Sequence, residues 1–203
     1  MFDSFPRGSF TRLDRPHYHE EYYRVLRSGI RRLDKLERGQ HFKERGFASW
    51  EAFAAGRWDE ALSLMCERRD TYAQQVAEMD RLGVVQRRLR VVEFPVTPYV
   101  QWELHVLRLR VGAGDRIRVL DAGTIADVEM HRDVPEVVIL GDVAMFEVQY
   151  DADGNAAGAN HFTDPDLIAE TSAGFEELYA LGEEYERFFA REIAPLPPPA
   201  ATP

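Results

Sequence analysis

Residues 87–111 most constrain what this chain can fold into, because they place a strand, a corner and a helix in immediate succession. Basic and β-branched residues alternate up to Pro95, which is typical of a strand that ends at a proline. In the pair that follows, Thr97 suits a helix N-cap and Pro98 suits the first helical position. A strand over 100–106, where apolar residues alternate, is the other interpretation, but only a helix explains both start residues. We therefore predict a strand and then a helix that begins at Pro98.

The N-terminal third of the sequence has helical periodicity. From about His19 to Gly39, apolar residues recur at steps of three and four with arginines between them, which predicts a basic amphipathic helix. Ser49 is a candidate N-cap for a short helix over 50–55. A longer helix is expected from Trp58 to Gly83. Residues 1–83 are therefore predicted to be a helical N-terminal region.

Later segments favour strands, followed by one more helix. Apolar and charged or polar residues alternate at 116–120 and 143–150, and further strands are predicted at 137–140 and 156–162. Asp153-Gly154 predicts a hairpin between 143–150 and 156–162. Asp164-Pro165 starts a helix whose apolar spacing continues to Phe189. The predicted fold class is α+β: an antiparallel sheet with helices packed on one face, and a helical N-terminal region.

Length and composition predict one domain. A chain of 203 residues with 45% hydrophobic residues can bury a sizeable core. We expect residues 84–194 to form an α+β core that packs with the helical region 1–83. The proline-rich segment 195–203 is expected to be a disordered tail.

Charge and cysteine content narrow the functional class. A formal net charge of -10 argues against direct nucleic-acid binding, which needs a basic face. The single Cys66 excludes an intramolecular disulfide and fits a reducing compartment. The sequence has no leader-like start and no apolar run long enough to span a bilayer. We expect a cytoplasmic protein without membrane attachment.

Three short motifs resemble ligand-binding sites, but each lacks a residue, a spacing or an element that the site requires. Residues 151–155 resemble the start of a calcium loop but lack its later ligands, and a hairpin turn explains them. Gly112-x-Gly114 resembles a dinucleotide loop, yet a strand follows where phosphate binding needs a helix. His17, His19 and Glu20, with His41 as a remote third ligand, lack the spacing of a closed metal site. No metal and no cofactor is predicted.

Glu103 is the most informative single residue, because the predicted helix places this carboxylate beside an apolar stripe. Such a group is either paired or has a raised pKa, as catalytic acids do. A structural ion pair with Arg88, Arg90 or Arg110 is the favoured interpretation. The alternative is a general acid or base. Other candidate ligand-binding residues are Arg90, Tyr99, Trp102, Arg118 and Asp142.

The centre of the chain follows a recognisable residue pattern: Arg-x-Arg-Val-Val, then Pro, then Tyr-x-x-Trp/Phe-Glu, then Gly-Asp/Glu-x-Ile-Arg. It is carried by Arg88 or Arg90, Val91, Val92, Pro95, Tyr99, Trp102, Glu103, Gly114, Asp115, Ile117 and Arg118. This pattern resembles a family of uncharacterised actinobacterial domains of unknown function. Further similarity, from Trp50 to Asp164-Pro165, extends over most of the chain. The arginine-rich stretch 19–39 and the insertion-like stretch 121–135 depart from the pattern.

The resemblance implies an accessory or regulatory role and no established chemistry, since members often lie beside genes for helix-turn-helix regulators and small acidic proteins. We therefore expect a regulatory binding protein that acts through a protein partner, with a transcriptional regulator as one candidate partner and a homodimer left open. The alternative is a small-molecule enzyme of a specialised-metabolite pathway that uses Glu103 as general acid or base. Whether the chain is an enzyme at all stays open at this point.

Overall fold

A computed structural model describes residues 9–130 and 134–199 of the chain. Its strands are β1 (Thr11–Asp14), β2 (Arg32–Glu37), β3 (Val85–Val92), β4 (Arg116–Asp121), β5 (Val137–Leu140), β6 (Ala144–Tyr150), β7 (Ala156–Phe162) and β8 (Glu183–Glu184). Its helices are α1 (Arg15–Leu26), α2 (Ala48–Ala54), α3 (Trp58–Cys66), α4 (Arg69–Leu82), α5 (Pro98–Ala113), α6 (Ala126–Glu129), α7 (Pro165–Leu181) and α8 (Tyr185–Phe188). A 3₁₀ turn, Ala122–Ile125, precedes α6, and a π-helical turn, Phe189–Ile193, follows α8.

The described strands form one mixed sheet in the order β1-β7-β6-β5-β2-β3-β4-β8. Five of its seven pairings are antiparallel, which confirms the mixed α and β class and most of the predicted sheet. The expectation of a wholly antiparallel sheet was wrong, since β2, β3 and β4 run parallel. The physical reason is the long connection through α5, which carries the chain back to the start of the next strand.

Both faces of the sheet are covered, so the expectation of helices on one face was also wrong. Along β5, Val138 and Leu140 pack with α1 and the end of α4, whereas Val137 and Ile139 pack with α7. Successive side chains of a strand point to opposite faces, so α1 and α7 lie on opposite sides. Helices α2 to α5 and α8 share a third apolar cluster with β4 on the α1 side. We call the face covered by α1 and α5 the front face.

The predicted basic helix over 19–39 is not what the chain forms. Helix α1 ends at Leu26, the chain turns at Gly29 with a φ of 94°, and β2 follows in the middle of the sheet. Leu33 and Leu36, which helical spacing would place on one stripe, point to opposite faces of β2. Because β2 is buried on both faces, its leucines occur at a spacing of three residues that resembles the apolar stripe of a helix. The helical N-terminal region is therefore not confirmed, because β1 and β2 belong to the sheet.

The central segment agrees with the sequence pattern. Strand β3 and helix α5 form as predicted, and the Thr97 hydroxyl oxygen accepts a hydrogen bond from the Val100 N–H at 3.2 Å. The Gly83 and Gly114 stops adopt the left-handed conformation that glycine permits. This strand–helix unit is the frame on which the candidate site residues are placed.

Three other boundaries differ from expectation. The helix expected over 58–82 is broken between Cys66 and Arg69, where two arginines interrupt the apolar stripe. Ser49 lies inside α2 and its hydroxyl donates to the Ala61 carbonyl, so it is not the N-cap. Helix α7, capped by Asp164 as predicted, ends at Leu181, and β8 interrupts the expected continuation to Phe189.

The chain ends against the body of the protein as far as residue 199. Gln101 Nε2 donates to the Pro197 carbonyl at 2.9 Å, and the Leu196 N–H donates to the Ile193 carbonyl. The buried Gln101 therefore supplies a donor for the backbone of this segment, while the disordered tail stays a prediction. Residues 200–203 lie outside the described residues.

Within the described residues, no helix is both long enough and apolar enough to cross a membrane.

Candidate functional site

Glu103 forms a buried ion pair with Arg90. Glu103 lies on α5 and Arg90 on the front face of β3, and Arg90 Nε donates to Glu103 Oε2 at 2.7 Å. The remaining Arg90 nitrogens donate to backbone carbonyls, of Val91 at 2.8 Å and of Gly39 at 2.6 Å among others. The Arg90 side chain is 0% exposed and that of Glu103 is 10% exposed. Of the three arginines considered from the sequence, Arg90 is therefore the partner.

The electrostatics of Glu103 resemble those of a catalytic acid, but its geometry does not. Burial raises the pKa of Glu103 to about 7, the nearby Glu37 adds to the rise, and Arg90 opposes it. A general acid must come within hydrogen-bond distance of the group that it protonates. In Glu103, one carboxylate oxygen is occupied by Arg90 and the side chain is enclosed. This arrangement is that of an ion pair within the core.

Tyr99 and Trp102 belong to the aromatic packing between α5 and α2. Trp102 stacks on Phe53 with ring centroids 5.7 Å apart, and its Nε1 donates to the Ser49 hydroxyl at 3.0 Å. The Tyr99 hydroxyl donates to Glu44 at 3.2 Å. Trp102 is a core residue in this geometry, whereas Tyr99 also borders a small aromatic pocket with Trp50.

Arg118 and Asp142 lie away from the Arg90–Glu103 pair. Arg118 is on the α7 side of β4, where it pairs with Glu184 at 2.8 Å and donates to the Tyr179 carbonyl at 3.1 Å. Asp142 is in the turn between β5 and β6. The structure therefore brings Arg90, Tyr99, Trp102 and Glu103 together around α5, and does not bring Arg118 or Asp142 to them.

Asp142 instead borders a broad groove at the start of the parallel strands. The groove encloses about 770 Å³ and mixes apolar residues with arginines. Its apolar part includes Val85 and Val143, which are 38% and 42% exposed. Arg31 and Arg116 are exposed at its rim, and no carboxylate within the described chain lies at ion-pair distance from either. We call this the arginine groove.

A second cavity opens on the front face of the sheet, between α1 and the loop that follows β2. It encloses about 300 Å³, and its walls include Tyr18, Tyr22 and Tyr150. Lys35, Arg88 and Arg110 contribute positive charge from β2, β3 and α5. We call this the tyrosine cleft. Glu103 is not among the residues that line it.

The tyrosine cleft was not predicted from the sequence, because its residues are dispersed along the chain. Lys35 lay in the segment predicted to be helical, and Arg88 was considered only as a strand residue and as an ion-pair partner for Glu103. The available signal was the charge on alternate positions of β2 and β3, namely Lys35, Glu37, Arg88 and Arg90. This charge pattern indicates a binding site only once β2 and β3 are known to lie in the middle of the sheet with helices on both faces.

The suspected metal ligands do not assemble a site. His17 Nδ1 lies 2.7 Å from Asp14 at the exposed start of α1, which is a local capping contact. Within the described residues, no group of three or more His, Cys, Asp or Glu side chains is arranged to hold a metal ion.

Comparison with known proteins places these residues in a family. The sequence has no match among curated proteins. A family model described as "Domain of unknown function (DUF6879)" matches residues 20–190. This match includes α5, the Arg90–Glu103 pair, most residues of the tyrosine cleft and the arginine groove. Because the match covers most of the 203 residues, the chain belongs to the family of domains of unknown function DUF6879.

Proposed function

We propose that this chain is a regulatory or accessory binding protein that acts through a protein partner. The observation that carries the proposal is the contrast between the enclosed Arg90–Glu103 pair and the open arginine groove. An enzyme that used Glu103 would need a substrate to reach a carboxylate that Arg90 and the core already surround. A binding protein needs an accessible surface with unused charge and apolar area, as the arginine groove offers.

The chemistry of the arginine groove favours an acidic, partly apolar segment of the partner. Arg32 and Arg87 at its floor are balanced by Asp34 and Glu176. Arg31 and Arg116 have no ion-pair partner within the described chain, and Asp142 offsets one of their two charges, so the rim keeps one excess positive charge on a protein whose net charge is -10. Local charges dominate at contact because salt screens distant ones beyond about 8–10 Å. Val85 and Val143 would pack against apolar side chains of the same segment.

Finer expectations belong to the same proposal. They are a cytoplasmic location, an actinobacterial origin, and a partner encoded nearby, with a helix-turn-helix transcriptional regulator or a small acidic protein as the first candidate. A homodimer stays open as an additional state. The enzyme alternative has no separate support, since it depends on the access to Glu103 that the geometry disfavours.

Charge reversal at the groove tests the proposal. A tagged chain with Arg31→Glu and Arg116→Glu is compared with the parent for co-purification of proteins from source cells, with identification by mass spectrometry. Arg15→Glu with Arg45→Glu is the matched control, because both arginines are exposed and lie outside the groove. We expect one acidic protein that the parent and control retain and the groove variant loses. Equal recovery by all three chains would contradict the assignment of the groove.

A further inference from the structure

The tyrosine cleft has more hydrogen-bond donors and positive charge than its own residues use. Four cations line it, namely Lys35, Lys43, Arg88 and Arg110, against one carboxylate, Glu44. Two further carboxylates lie behind the lining: Glu37, which is 2.6 Å from Lys35 and 2.7 Å from Arg88, and Asp115, which is 2.7 Å from Arg110. Arg110 is therefore matched by Asp115, and Lys43 has Glu44 and Asp151 near it. Lys35 and Arg88 share a single carboxylate, Glu37, which leaves one positive charge at this pair.

Arg88 is the clearest sign of unmet binding capacity. Its Nη1 donates to both oxygens of Glu37, at 2.8 and 2.7 Å, but its Nε is buried and has no hydrogen-bond partner within the described chain. Buried donors in folded proteins are rarely left unpaired, because desolvation without a new hydrogen bond is unfavourable. The strand register places Lys35 directly beside Arg88, so two cations adjoin on the front face.

The three tyrosines add neutral donors around this charge. Burial raises the pKa of Tyr22 to about 12 and raises that of Tyr18 further, so both phenols keep their protons at neutral pH. The loop after β2 forms another wall of the cleft, and its Phe42 stacks on Tyr150 of β6 with ring centroids 4.6 Å apart. This loop is fixed to the β6–β7 turn, since the Lys43 N–H donates to the Gly154 carbonyl at 3.1 Å. The cleft is therefore a preformed site rather than a gap beneath a loose loop.

We propose that the tyrosine cleft binds a small phosphorylated molecule, with its phosphate group against Lys35, Arg88 and Arg110. A phosphate offers three acceptor oxygens and a charge of about −1.5 to −2 at pH 7, which fits a cluster with several donors and an excess positive charge. A carboxylate offers two oxygens and a single charge, and leaves more of these donors unused. The volume of about 300 Å³ is at the small end of ligand pockets, which limits the organic part to a compact group flanked by the tyrosine rings.

Binding by calorimetry at constant ionic strength tests this inference. The probes are inorganic phosphate, ribose 5-phosphate and adenosine 5′-monophosphate, with malate as the carboxylate comparison. We expect saturable binding of at least one phosphate compound and weaker or no binding of malate. Lys35→Gln should weaken the affinity about tenfold or more, because a charged hydrogen-bond donor is lost. Tyr22→Phe, which keeps the ring, is a second variant in case the first fails to fold, and should also weaken binding.

The matched control is Arg187→Gln, which removes one positive charge from a side chain that is 81% exposed and lies outside both the tyrosine cleft and the arginine groove. It should bind phosphate like the parent. No binding of any phosphate probe by the parent, equal affinity for malate, or equal weakening by Lys35→Gln and Arg187→Gln would each overturn the inference. The outcome is independent of the proposed protein partner, since Lys35→Gln leaves the arginine groove intact and should retain the co-purified protein.

Discussion

At the scale of single residues, the Arg90–Glu103 pair shows how one local environment can suggest two opposite roles. The raised pKa of Glu103 comes chiefly from burial, which equally produces a catalytic acid or a structural ion pair. The hydrogen-bond partners decide between them. Every nitrogen of the Arg90 guanidinium is engaged with Glu103 or with a backbone carbonyl. Glu103 is therefore the counter-charge of a fully buried arginine.

Glu103→Gln should destabilise the fold by roughly 3–5 kcal/mol, because Arg90 would keep its charge without this carboxylate. Chemical unfolding at pH 8, where the Glu103 carboxyl is mainly ionised, measures the effect. Glu184→Gln is the control, since that carboxylate is 74% exposed opposite Arg118 and should contribute about 1 kcal/mol or less. The double variant Arg90→Met with Glu103→Leu should recover only part of the loss, because three backbone carbonyls also lose the donor that Arg90 supplies. Unchanged stability of Glu103→Gln would show that the carboxylate is not needed by Arg90.

Trp102→Ala should destabilise the protein by about 3–5 kcal/mol, because a large buried ring is removed from the packing against Phe53. Trp102→Phe is the informative comparison. It keeps a ring beside Phe53 and removes the donor to Ser49, whose own hydroxyl still donates to Ala61. A smaller loss is therefore expected for the phenylalanine variant in the same unfolding experiment. A melting temperature for Trp102→Ala within error of the parent would contradict the central position of α5.

At the scale of elements, local signals predicted those segments whose ends are chemically marked. The Thr97-Pro98 and Asp164-Pro165 pairs fixed the starts of α5 and α7, because capping and the proline φ act within one turn. Strand β2 could not be predicted in the same way. Its carboxylates are ion-paired with arginines of β3, and its leucines face opposite layers, so its pattern depends on neighbours far along the chain. The tyrosine cleft was missed for the same reason.

Strand β1 offers a test at this scale, since its position on the sheet edge depends on Gly158. Gly158 pairs with Asp14 and has a φ of 146°, and a Cβ there would meet the Leu13 carbonyl oxygen. Gly158→Ala should destabilise the protein by about 1–3 kcal/mol and separate β1 from β7. Amide hydrogen exchange would detect the loss of protection over residues 11–14. Gly154→Ala is the control: its φ is also positive, but the space around it is open, so β1 should remain protected.

At the scale of the whole molecule, stability depends on charge that is held inside the sheet layers. Both faces of the central strands carry ion-paired arginines, Arg87 with Asp34 behind and Arg88 with Glu37 in front. Although burial favours its neutral form, Arg88, Lys35 and Arg90 hold the pKa of Glu37 below the usual range. These buried ion pairs stabilise the fold only while their carboxylates stay ionised and their arginines stay protonated. Changes in pH should therefore act on the fold through a few buried groups.

His161 is the buried group most suited to a pH test. Its ring stacks on Phe146 with centroids 4.7 Å apart, its side chain is 13% exposed, and its Nε2 has no hydrogen-bond partner within the described chain. Burial lowers the pKa of His161, with Arg24 adding to the effect and Glu21, 3.9 Å away, opposing it. The folded state therefore holds this proton less tightly than the unfolded chain, in which a histidine titrates near pH 6.5.

The sign of the pH dependence follows from that difference. Well above about pH 6.5, His161 is neutral in both states and its contribution to stability is fully present. As the pH falls below this value, the unfolded chain binds the proton first, so the free energy of unfolding decreases, by at most about 1.4 kcal/mol per pH unit for one proton.

His161→Phe keeps the stacked ring and removes the titration, so its stability should fall less than that of the parent between pH 7 and pH 5. Denaturant unfolding at several pH values measures both curves, and their difference removes the contributions of Glu103 and other groups common to the two chains. His19→Phe, at an exposed position of α1, should follow the parent curve. If His161→Phe also followed it, the ring of His161 would have to be protonated equally in the folded and unfolded states, which its enclosed Nε2 argues against.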